Sequence, residues 1–195
     1  MLNQEDLDPI TTRFGQAWRS LATNRWLPLT FLALGTASNV MYAHTPLVAF
    51  AVMSGLVLNR RRAIAVAMSL WVLNQAIGFG LRGYPLTTTA FTWGALMGVG
   101  TLMVVTFASW RPGFAQTTWP GHGLWLALSL LVGFGLYQGL ILLAYPFMAD
   151  GHWMDWAIVV KLFGKQALWT GVMALAHGLL LWRQCTLVSQ SQTQL

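Results

Sequence analysis

Long apolar blocks separated by short polar breaks make up most of the chain after Arg25. Apolar blocks of this kind predict helices that lie within a membrane. The breaks contain Pro, Gly, Asn or clustered Arg, which end helices and form turns. Six helices are therefore predicted, with the approximate ranges 26–43, 47–58, 63–80, 89–110, 124–147 and 156–182. The second range is short for a crossing, so this helix must tilt little or borrow length from its flanks.

Composition agrees with a membrane location for the whole chain. Of the 195 residues, 56% are hydrophobic and only 8% are charged, whereas soluble domains usually carry about 25% charged residues. The predicted fold class is an all-α integral membrane protein, a bundle of about six transmembrane helices without a separate soluble domain. The single cysteine, Cys185, excludes an internal disulfide and a cysteine cluster for metal.

The basic residues predict the orientation of the bundle. Six crossings with a cytoplasmic N-terminus leave only Arg82 among the outer loop arginines. The inner side then receives Arg13, Arg19, Arg25, Arg60, Arg61, Arg62, Arg111 and Arg183. Both termini are therefore predicted to be cytoplasmic. The net charge of +6 reflects this positive-inside bias, and no nucleic acid partner is predicted.

The two ends of the chain are predicted to lie outside the bundle. The stretch "ITTRFGQAWRSLATNR" has apolar residues at roughly helical spacing. It predicts a short helix on the membrane surface, with Phe14, Trp18 and Leu21 dipping in, and a plain polar leader is the alternative. The predicted division is a cytoplasmic tail with an interfacial helix at 1–25, a six-helix membrane domain at 26–182, and a cytoplasmic tail at 183–195.

Polar side chains collect in the outer halves of several predicted helices. Lys161 and Lys165 lie four residues apart in the last helix, a spacing that puts both on one face. A lysine at mid-membrane costs about 2.5 to 3.5 kcal/mol on insertion scales, so it normally faces a bundle interior or a watery cavity. Other polar or aromatic side chains predicted at similar depth are Asn39, Asn74, Gln75, Tyr137, Gln138, Gln166 and Trp169.

These side chains predict a substrate pocket that opens to the outside. The two ammonium groups would attract a carboxylate or phosphate, the amides and the phenol would orient the solute, and Trp169 would stack on a ring. The alternative is a structural role. In that case the lysine stems snorkel to the interface, the amides join helices together, and Asp150 or Asp155 pairs with the lysines.

No catalytic, cofactor or metal site is predicted. No acidic residue lies within a predicted helix, so no carboxylate proton relay is visible. The four histidines lack the spacing of a metal or haem site, and the sequence contains no phosphate loop and no HExxH motif. We therefore predict that the chain is not an enzyme. Uphill transport would need energy from a partner or an ion.

The predicted layout of six short helices, cytoplasmic termini and an outward-facing pocket resembles a known family, and the resemblance is most specific at about residues 33–80. The segment "ALGTA" contains Ala33 and Ala37, and it is followed by Pro46, a short helix of small residues, a basic turn and a third helix that ends in polar residues and Gly. This plan resembles the S component of energy-coupling factor (ECF) transporters, small membrane proteins that capture vitamins and related micronutrients. The resemblance implies a vitamin-like solute and a multi-pass protein of the bacterial inner membrane. It also implies that Ala33 and Ala37 dock on the shared ECF transmembrane subunit, and that two ATPases supply the energy.

The alternative function is a non-transport scaffold or assembly factor for a larger membrane complex. Glycines on the helix faces would permit close packing of partner helices, and the relevant positions are Gly94, Gly98, Gly133, Gly135 and Gly139. This hypothesis predicts a stable protein partner and no small-molecule ligand, whereas the transporter hypothesis predicts a bound anion.

Overall fold

A computed structural model describes residues 9–41, 45–148 and 155–193. These residues form helices joined by short turns. The helices are α1 (Pro9–Thr23), α2 (Trp26–Met41), α3 (Leu47–Val57), α4 (Arg60–Gly80), α5 (Thr88–Ala108), α6 (Phe114–Thr117), α7 (Trp119–Met148) and α8 (Trp156–Thr193). Each of the six apolar blocks corresponds to one helix, namely α2, α3, α4, α5, α7 or α8.

Four of these helices are long and apolar enough to cross a membrane, namely α4, α5, α7 and residues 156–187 of α8. Many of their outward side chains are large and apolar, as expected where lipid surrounds a protein. Leu143 of α7 and Leu175 of α8, for example, are 74% and 72% exposed. The chain is therefore an all-α protein of the multi-pass membrane type. With 16 and 11 residues, α2 and α3 are shorter.

α2 and α4 run in the same direction, because the two helices begin near each other and also end near each other. Near the starts, Arg62 Nη1 donates a hydrogen bond to the Thr23 carbonyl oxygen at 2.8 Å. Near the ends, Arg82 Nη2 donates to the Asn39 carbonyl oxygen. We call the end of the bundle where α4 begins the arginine-rich end. Its arginines are Arg13, Arg19, Arg25, Arg60, Arg61, Arg62, Arg111 and Arg183.

The later helices alternate in direction. Trp71 of α4 donates to the Gly94 carbonyl oxygen of α5, and Trp125 at the start of α7 donates to the Ala108 carbonyl oxygen at the end of α5. α8 then returns beside α7 to the arginine-rich end, where it packs against α1. α1 and the C-terminal part of α8 therefore lie at the same end of the bundle.

α3 occupies the centre of this bundle. All eleven of its residues are buried, and it contacts α1, α2, α4, α5, α7 and α8. Eleven residues rise about 16 Å, which is roughly half of the ~30 Å hydrocarbon thickness of a bilayer. Thr45, just before α3, bonds to Asn74 of α4, nearly two turns before α4 ends. α3 therefore begins inside the bundle and runs to the arginine-rich end.

Local sequence determines where the neighbouring helices begin and how closely they approach α3. Asn59 caps α4 by accepting a hydrogen bond from the Arg62 N–H at 3.0 Å, and Thr87 caps α5 in the same way. Gly55 lets α3 approach α5, because an added Cβ would lie only 2.7 Å from the Ala108 Cβ.

The structure corrects one detail of the predicted interfacial helix. α1 is present, but Phe14, Trp18 and Leu21 are buried in a cluster with Leu181 of α8. The Phe14 ring also meets the Trp119 ring edge-on, with centroids 5.1 Å apart. A periodic apolar face needs to be covered, but its pattern does not distinguish lipid from protein as the cover.

Two helices are longer than the sequence predicted. α7 begins at Trp119 and not near Leu124, since a proline such as Pro120 is tolerated in the first turn of a helix. α8 continues past Trp182 to Thr193, into the segment predicted as a tail. Packing on α1 supports this extension, and the Cys185 Sγ lies 4.0 Å from the Arg13 carbonyl oxygen.

Candidate functional site

A cavity of about 160 Å³ lies beside the start of α3. Its polar lining consists of Thr45 before α3, Tyr137 and Gln138 on α7, and Lys165 and Gln166 on α8. Its apolar lining consists of Met97, Phe134, Ile141 and Leu162. The cavity therefore presents hydrogen-bonding groups and one cation on some walls and a hydrophobic surface on the others. We call it the α3 cavity.

The start of α3 supplies polar main-chain groups next to this cavity. The Ala49 N–H donates to Gln166 Oε1 at 3.0 Å, and the Thr45 N–H donates to Asn74 Oδ1 at 3.3 Å. The Thr45 hydroxyl is buried and has no hydrogen-bond partner in the described part of the chain. Because the first N–H groups of a helix carry a partial positive charge, this end of α3 favours an anion.

Two cations contribute to the electrostatics of the α3 cavity. Lys165 is half-buried in its wall, and Arg82 lies close enough to Lys165 to interact with it electrostatically. Arg82 is held in place by its bond to the Asn39 carbonyl oxygen. Two basic side chains and a helix N-terminus therefore lie near one small cavity, where surroundings of low dielectric strengthen electrostatic interactions.

Four predicted site residues line the α3 cavity, namely Tyr137, Gln138, Lys165 and Gln166. A fifth, Asn74, lies directly behind it, where its side chain holds the Thr45 main chain. Their convergence follows from the antiparallel arrangement of α7 and α8. The two polar pairs occur at the same depth on these helices, and both helices face the start of α3.

The remaining predicted site residues lie elsewhere. Lys161 is exposed on α8, and Gln75 is turned toward α5, where its Oε1 lies 2.6 Å from the position of an added Gly94 Cβ. Trp169 packs on Phe50, with ring centroids 5.8 Å apart. The Asn39 side chain is buried without a hydrogen-bond partner among the described residues. Asp150 lies outside the described residues, and Asp155 is exposed.

Thr45 and the apolar wall were not among the site residues predicted from the sequence. The available signal was the short predicted helix at 47–58, because a helix of half the membrane thickness must begin or end inside the bundle. The residue before Pro46 is then placed at depth. The apolar members, such as Met97 and Leu162, look like any other apolar residue in these helices, so the sequence carried no signal for them.

Small residues were predicted to contact partner proteins, namely two alanines in the transporter hypothesis and five glycines in the scaffold hypothesis. In the structure some of them lie on the surface and others in the interior. Ala33 and Ala37 are both exposed on α2. Gly94, Gly98 and Gly133 face Gln75, Trp71 and Val104 within the same chain, whereas an added Cβ at Gly135 or Gly139 would meet nothing within 4 Å. Three of the five glycines therefore serve internal packing.

The α3 cavity is suited to holding a molecule by charge and hydrogen bonds. Lys165 and the hydroxyl of Thr45 are donors, Gln138 provides an amide, and the apolar wall receives a hydrophobic body. Within the described residues, no group of three or more His, Cys, Asp or Glu side chains lies close enough to hold a metal ion.

The chain was compared with models of protein families, with curated proteins and with solved structures. None of the three comparisons found a match.

Proposed function

We propose that this protein is the substrate-binding membrane subunit of a transporter, which captures a small anionic or polar, vitamin-like solute from the outer side. The observation that carries this proposal is the α3 cavity, where Lys165 and a buried hydroxyl meet the start of a half-length helix. Broken or half-length helices whose ends point at a midplane site are a recurring way to bind charged solutes in transporters.

The binding mode follows from the two kinds of wall. A carboxylate or phosphate of the solute accepts hydrogen bonds from Lys165 and from the Thr45 hydroxyl, and the α3 N-terminus stabilises its charge. Gln138 and Tyr137 orient the remaining polar groups. The hydrophobic part of the solute packs on Phe134 and Leu162. A cavity of about this size accommodates a body as large as a benzene ring.

The proposed topology has six crossings with both termini in the cytoplasm. It is supported by the alternating helix directions and by the arginines gathered at the end of the bundle where α1 meets α8. By the positive-inside rule that end faces the cytoplasm, so the start of α3 lies toward the outer side. In this topology α3 acts as the second crossing, although its 11 residues span only about half of the hydrocarbon thickness.

The energy for transport is proposed to come from partner subunits. The resemblance to ECF S components assigns this role to a shared transmembrane subunit and two ATPases in a bacterial inner membrane. Ala33 and Ala37, the proposed docking residues, are exposed on α2, so this surface is available to another helix.

Replacing Lys165 tests the site, and Lys161 provides the matched control. Both are lysines of α8, one turn apart, but Lys165 lines the cavity and Lys161 is exposed. We expect Lys165→Met to lose a co-purifying anion that native mass spectrometry detects in the wild type and in Lys161→Met. The loss should be about 10-fold or more in affinity, as for a hydrogen bond to a charged group. Equal binding by all three proteins would exclude the proposed site.

A scaffold function is the second candidate, and Gly135 and Gly139 of α7 favour it. No described atom occupies the space beside these two glycines, so α7 has a smooth outward face where a partner helix can approach closely. The scaffold hypothesis predicts that the protein in mild detergent carries other membrane subunits but no ATPases and no small molecule. Gly135→Leu would then release the partner and leave the α3 cavity intact.

A further inference from the structure

A second opening lies at the arginine-rich end of the bundle, between the start of α4 and the end of α5. It is a cavity of about 260 Å³, and its lining consists of Arg60, Thr106, Phe107, Ser109 and Trp110. Cavities of about 150 Å³ hold a molecule of the size of benzene, so this one has room for a larger group. We call it the α4–α5 cavity. Asn74, which lies behind the α3 cavity, is about 21 Å farther along α4 than Arg60, so the two sites are separate.

Two polar side chains of the α4–α5 cavity can bind a ligand. Arg60 is exposed and Thr106 is half-buried. Thr92 and Thr101 of the same helix donate to carbonyl oxygens four residues earlier, whereas the Thr106 hydroxyl and the Arg60 guanidinium bond to no residue that the structure describes. The Ser109 hydroxyl is enclosed by protein, so we assign it no bond to a ligand.

The positive charge beside this cavity is not balanced by the described residues. Arg61 and Arg62 follow Arg60 and are exposed as well. Asp155 is the one acidic residue within the described ranges, and it precedes α8 at the opposite end of the bundle. An anion at Arg60 therefore provides the charge that this end of the described chain lacks.

The position of the cavity indicates a lipid as the source of this anion. Trp110 is 78% exposed at the end of α5, and exposed tryptophans of membrane proteins lie at the level of the lipid headgroups. Thr106, Met103 and Val99 lie on the same face of α5 as Trp110, because they precede it by four, seven and eleven residues. Met103 and Val99 are 38% and 50% exposed. An apolar stripe therefore leads from the cavity into the hydrocarbon, where it can contact an acyl chain.

We propose that the α4–α5 cavity binds the headgroup of an anionic phospholipid. Its phosphate accepts hydrogen bonds from the Arg60 guanidinium and the Thr106 hydroxyl, and one acyl chain lies on Met103 and Val99. Arginine donates paired hydrogen bonds to phosphate oxygens, and basic pockets between membrane helices bind acidic headgroups. The site is independent of the α3 cavity, so it holds whether or not the protein transports a solute.

Titration of single lipids into the full chain in mild detergent, followed by native mass spectrometry, tests the proposal. The probe is phosphatidylglycerol, and the reference is phosphatidylcholine with the same acyl chains, in which the choline balances the phosphate charge. We expect the wild type to bind phosphatidylglycerol at least about fivefold more tightly, because basic side chains near a membrane surface favour acidic lipids.

Two neighbouring arginines provide the matched pair of variants. Arg60→Gln and Arg61→Gln each remove one exposed positive charge, but Arg60 lines the cavity and Arg61 does not. Arg60→Gln should lower the affinity for phosphatidylglycerol about tenfold, as the loss of a hydrogen bond to a charged group does. Arg61→Gln should lower it by at most about threefold. Arg60 is exposed and bonds to no described residue, so we expect both variants to fold.

A second pair of variants tests the hydroxyl of the site. Thr106→Val keeps the shape of the side chain and should lower the affinity for phosphatidylglycerol about threefold. Thr92→Val is its control, because Thr92 lies near the other end of α5 and its hydroxyl bonds within its own helix. We expect Thr92→Val to bind the lipid as the wild type does.

Inorganic phosphate distinguishes a lipid from a soluble anion. We expect millimolar phosphate, added as its ammonium salt, to leave phosphatidylglycerol bound, because phosphate cannot replace the contacts of the acyl chain.

Three results would overturn the proposal. The first is an equal loss of affinity in Arg60→Gln and Arg61→Gln, which would mean diffuse attraction by the arginines. The second is equal binding of the two lipids by the wild type, which would mean that the cavity does not select a negative charge. The third is displacement of phosphatidylglycerol by inorganic phosphate, which would mean a site for soluble anions.

Discussion

α3 and the long helices around it are composed of similar residues but have different surroundings. All eleven residues of α3 are buried, whereas only 17% to 33% of the apolar windows of α4, α5, α7 and α8 is buried inside the protein. In water an apolar helix of either kind would have to be buried. In a membrane, lipid covers the outward faces of the long helices, whereas protein covers α3. Apolar character therefore indicates membrane depth in this chain, but it does not reveal which helix lies at the centre.

This difference in surroundings predicts that substitutions in α3 and substitutions in the long helices affect the stability of the bundle differently. Substitutions in α3 leave cavities or clashes that neighbouring helices must absorb. Substitutions on the outward faces of the long helices replace one lipid contact with another. Matched pairs of variants measure this contrast, and reversible unfolding in mixed micelles of a mild detergent and SDS gives the free energy for each.

The largest expected difference is between Phe50 and Phe147. Phe50 of α3 is fully buried and Phe147 of α7 is 88% exposed. Phe50→Ala should lower the free energy of unfolding by about 3 to 5 kcal/mol, because it removes a ring from a packed core. Phe147→Ala should change it by less than about 0.5 kcal/mol. Similar changes in both variants would mean that α3 is not enclosed by protein.

A smaller difference is expected between two glycines. An added methyl at Gly55 of α3 would lie 2.7 Å from the Ala108 Cβ and 3.1 Å from main-chain atoms of α5, whereas an added methyl at Gly171 of α8 meets nothing within 4 Å. Gly55→Ala should cost about 1 to 3 kcal/mol in unfolding free energy through overpacking. Gly171→Ala should not destabilise the protein. A stable Gly55→Ala variant would refute the close contact of α3 with α5.

The smallest expected effect is at the rim of the arginine-rich end. Arg62 donates to the Thr23 carbonyl oxygen at 2.8 Å, and Arg61 beside it is exposed. Arg62→Ala should lower the free energy of unfolding by about 0.5 to 1 kcal/mol, since an exposed bond of this kind contributes little. Arg61→Ala should have no measurable effect. If Arg62→Ala lowered the free energy of unfolding as much as Phe50→Ala does, this hydrogen bond would contribute as much to stability as the packing of the core.

Much of the fold was accessible from the sequence. Apolar block length and breaking residues predicted six helices, and Asn59 and Thr87 mark the starts of α4 and α5 as capping residues do. The central position of α3 was not predicted. Its short length is visible in the sequence, but the apolar pattern of a helix does not specify whether lipid or protein surrounds it.

The sequence placed the polar side chains at similar positions along the helices. It did not indicate which way each side chain points around its helix. Lys165 and Lys161 are only 40° apart on a helical projection, yet Lys161 lies about 140° around α8 from the buried Gln166. That rotation places Lys161 on the exposed side. Likewise, Asn74 and Gln75 are adjacent and point about 100° apart around α4. Asn74 turns to the start of α3 and Gln75 to α5.

Pairings between distant parts of the chain were beyond sequence reasoning. His122 and His177 are 55 positions apart, and nothing in their local sequence indicates that their rings meet. An apolar groove beside His177 is likewise formed by α2 and α8, two helices that are far apart in the chain. Such contacts depend on the order of the helices within the bundle, which the apolar pattern leaves undetermined.

The contact between α1 and α8 has a consequence for the synthesis of the protein. α1 is synthesised before α8, which carries Leu181, the residue that packs on Phe14 and Leu21. About 170 residues separate Phe14 from Leu181, so ribosomes working at about 5 to 20 residues per second need roughly 10 to 30 s to produce the partner. Throughout this interval the apolar face of α1 requires another cover. We expect the headgroup layer of the membrane to provide it, so that α1 lies on the membrane surface until α8 is made.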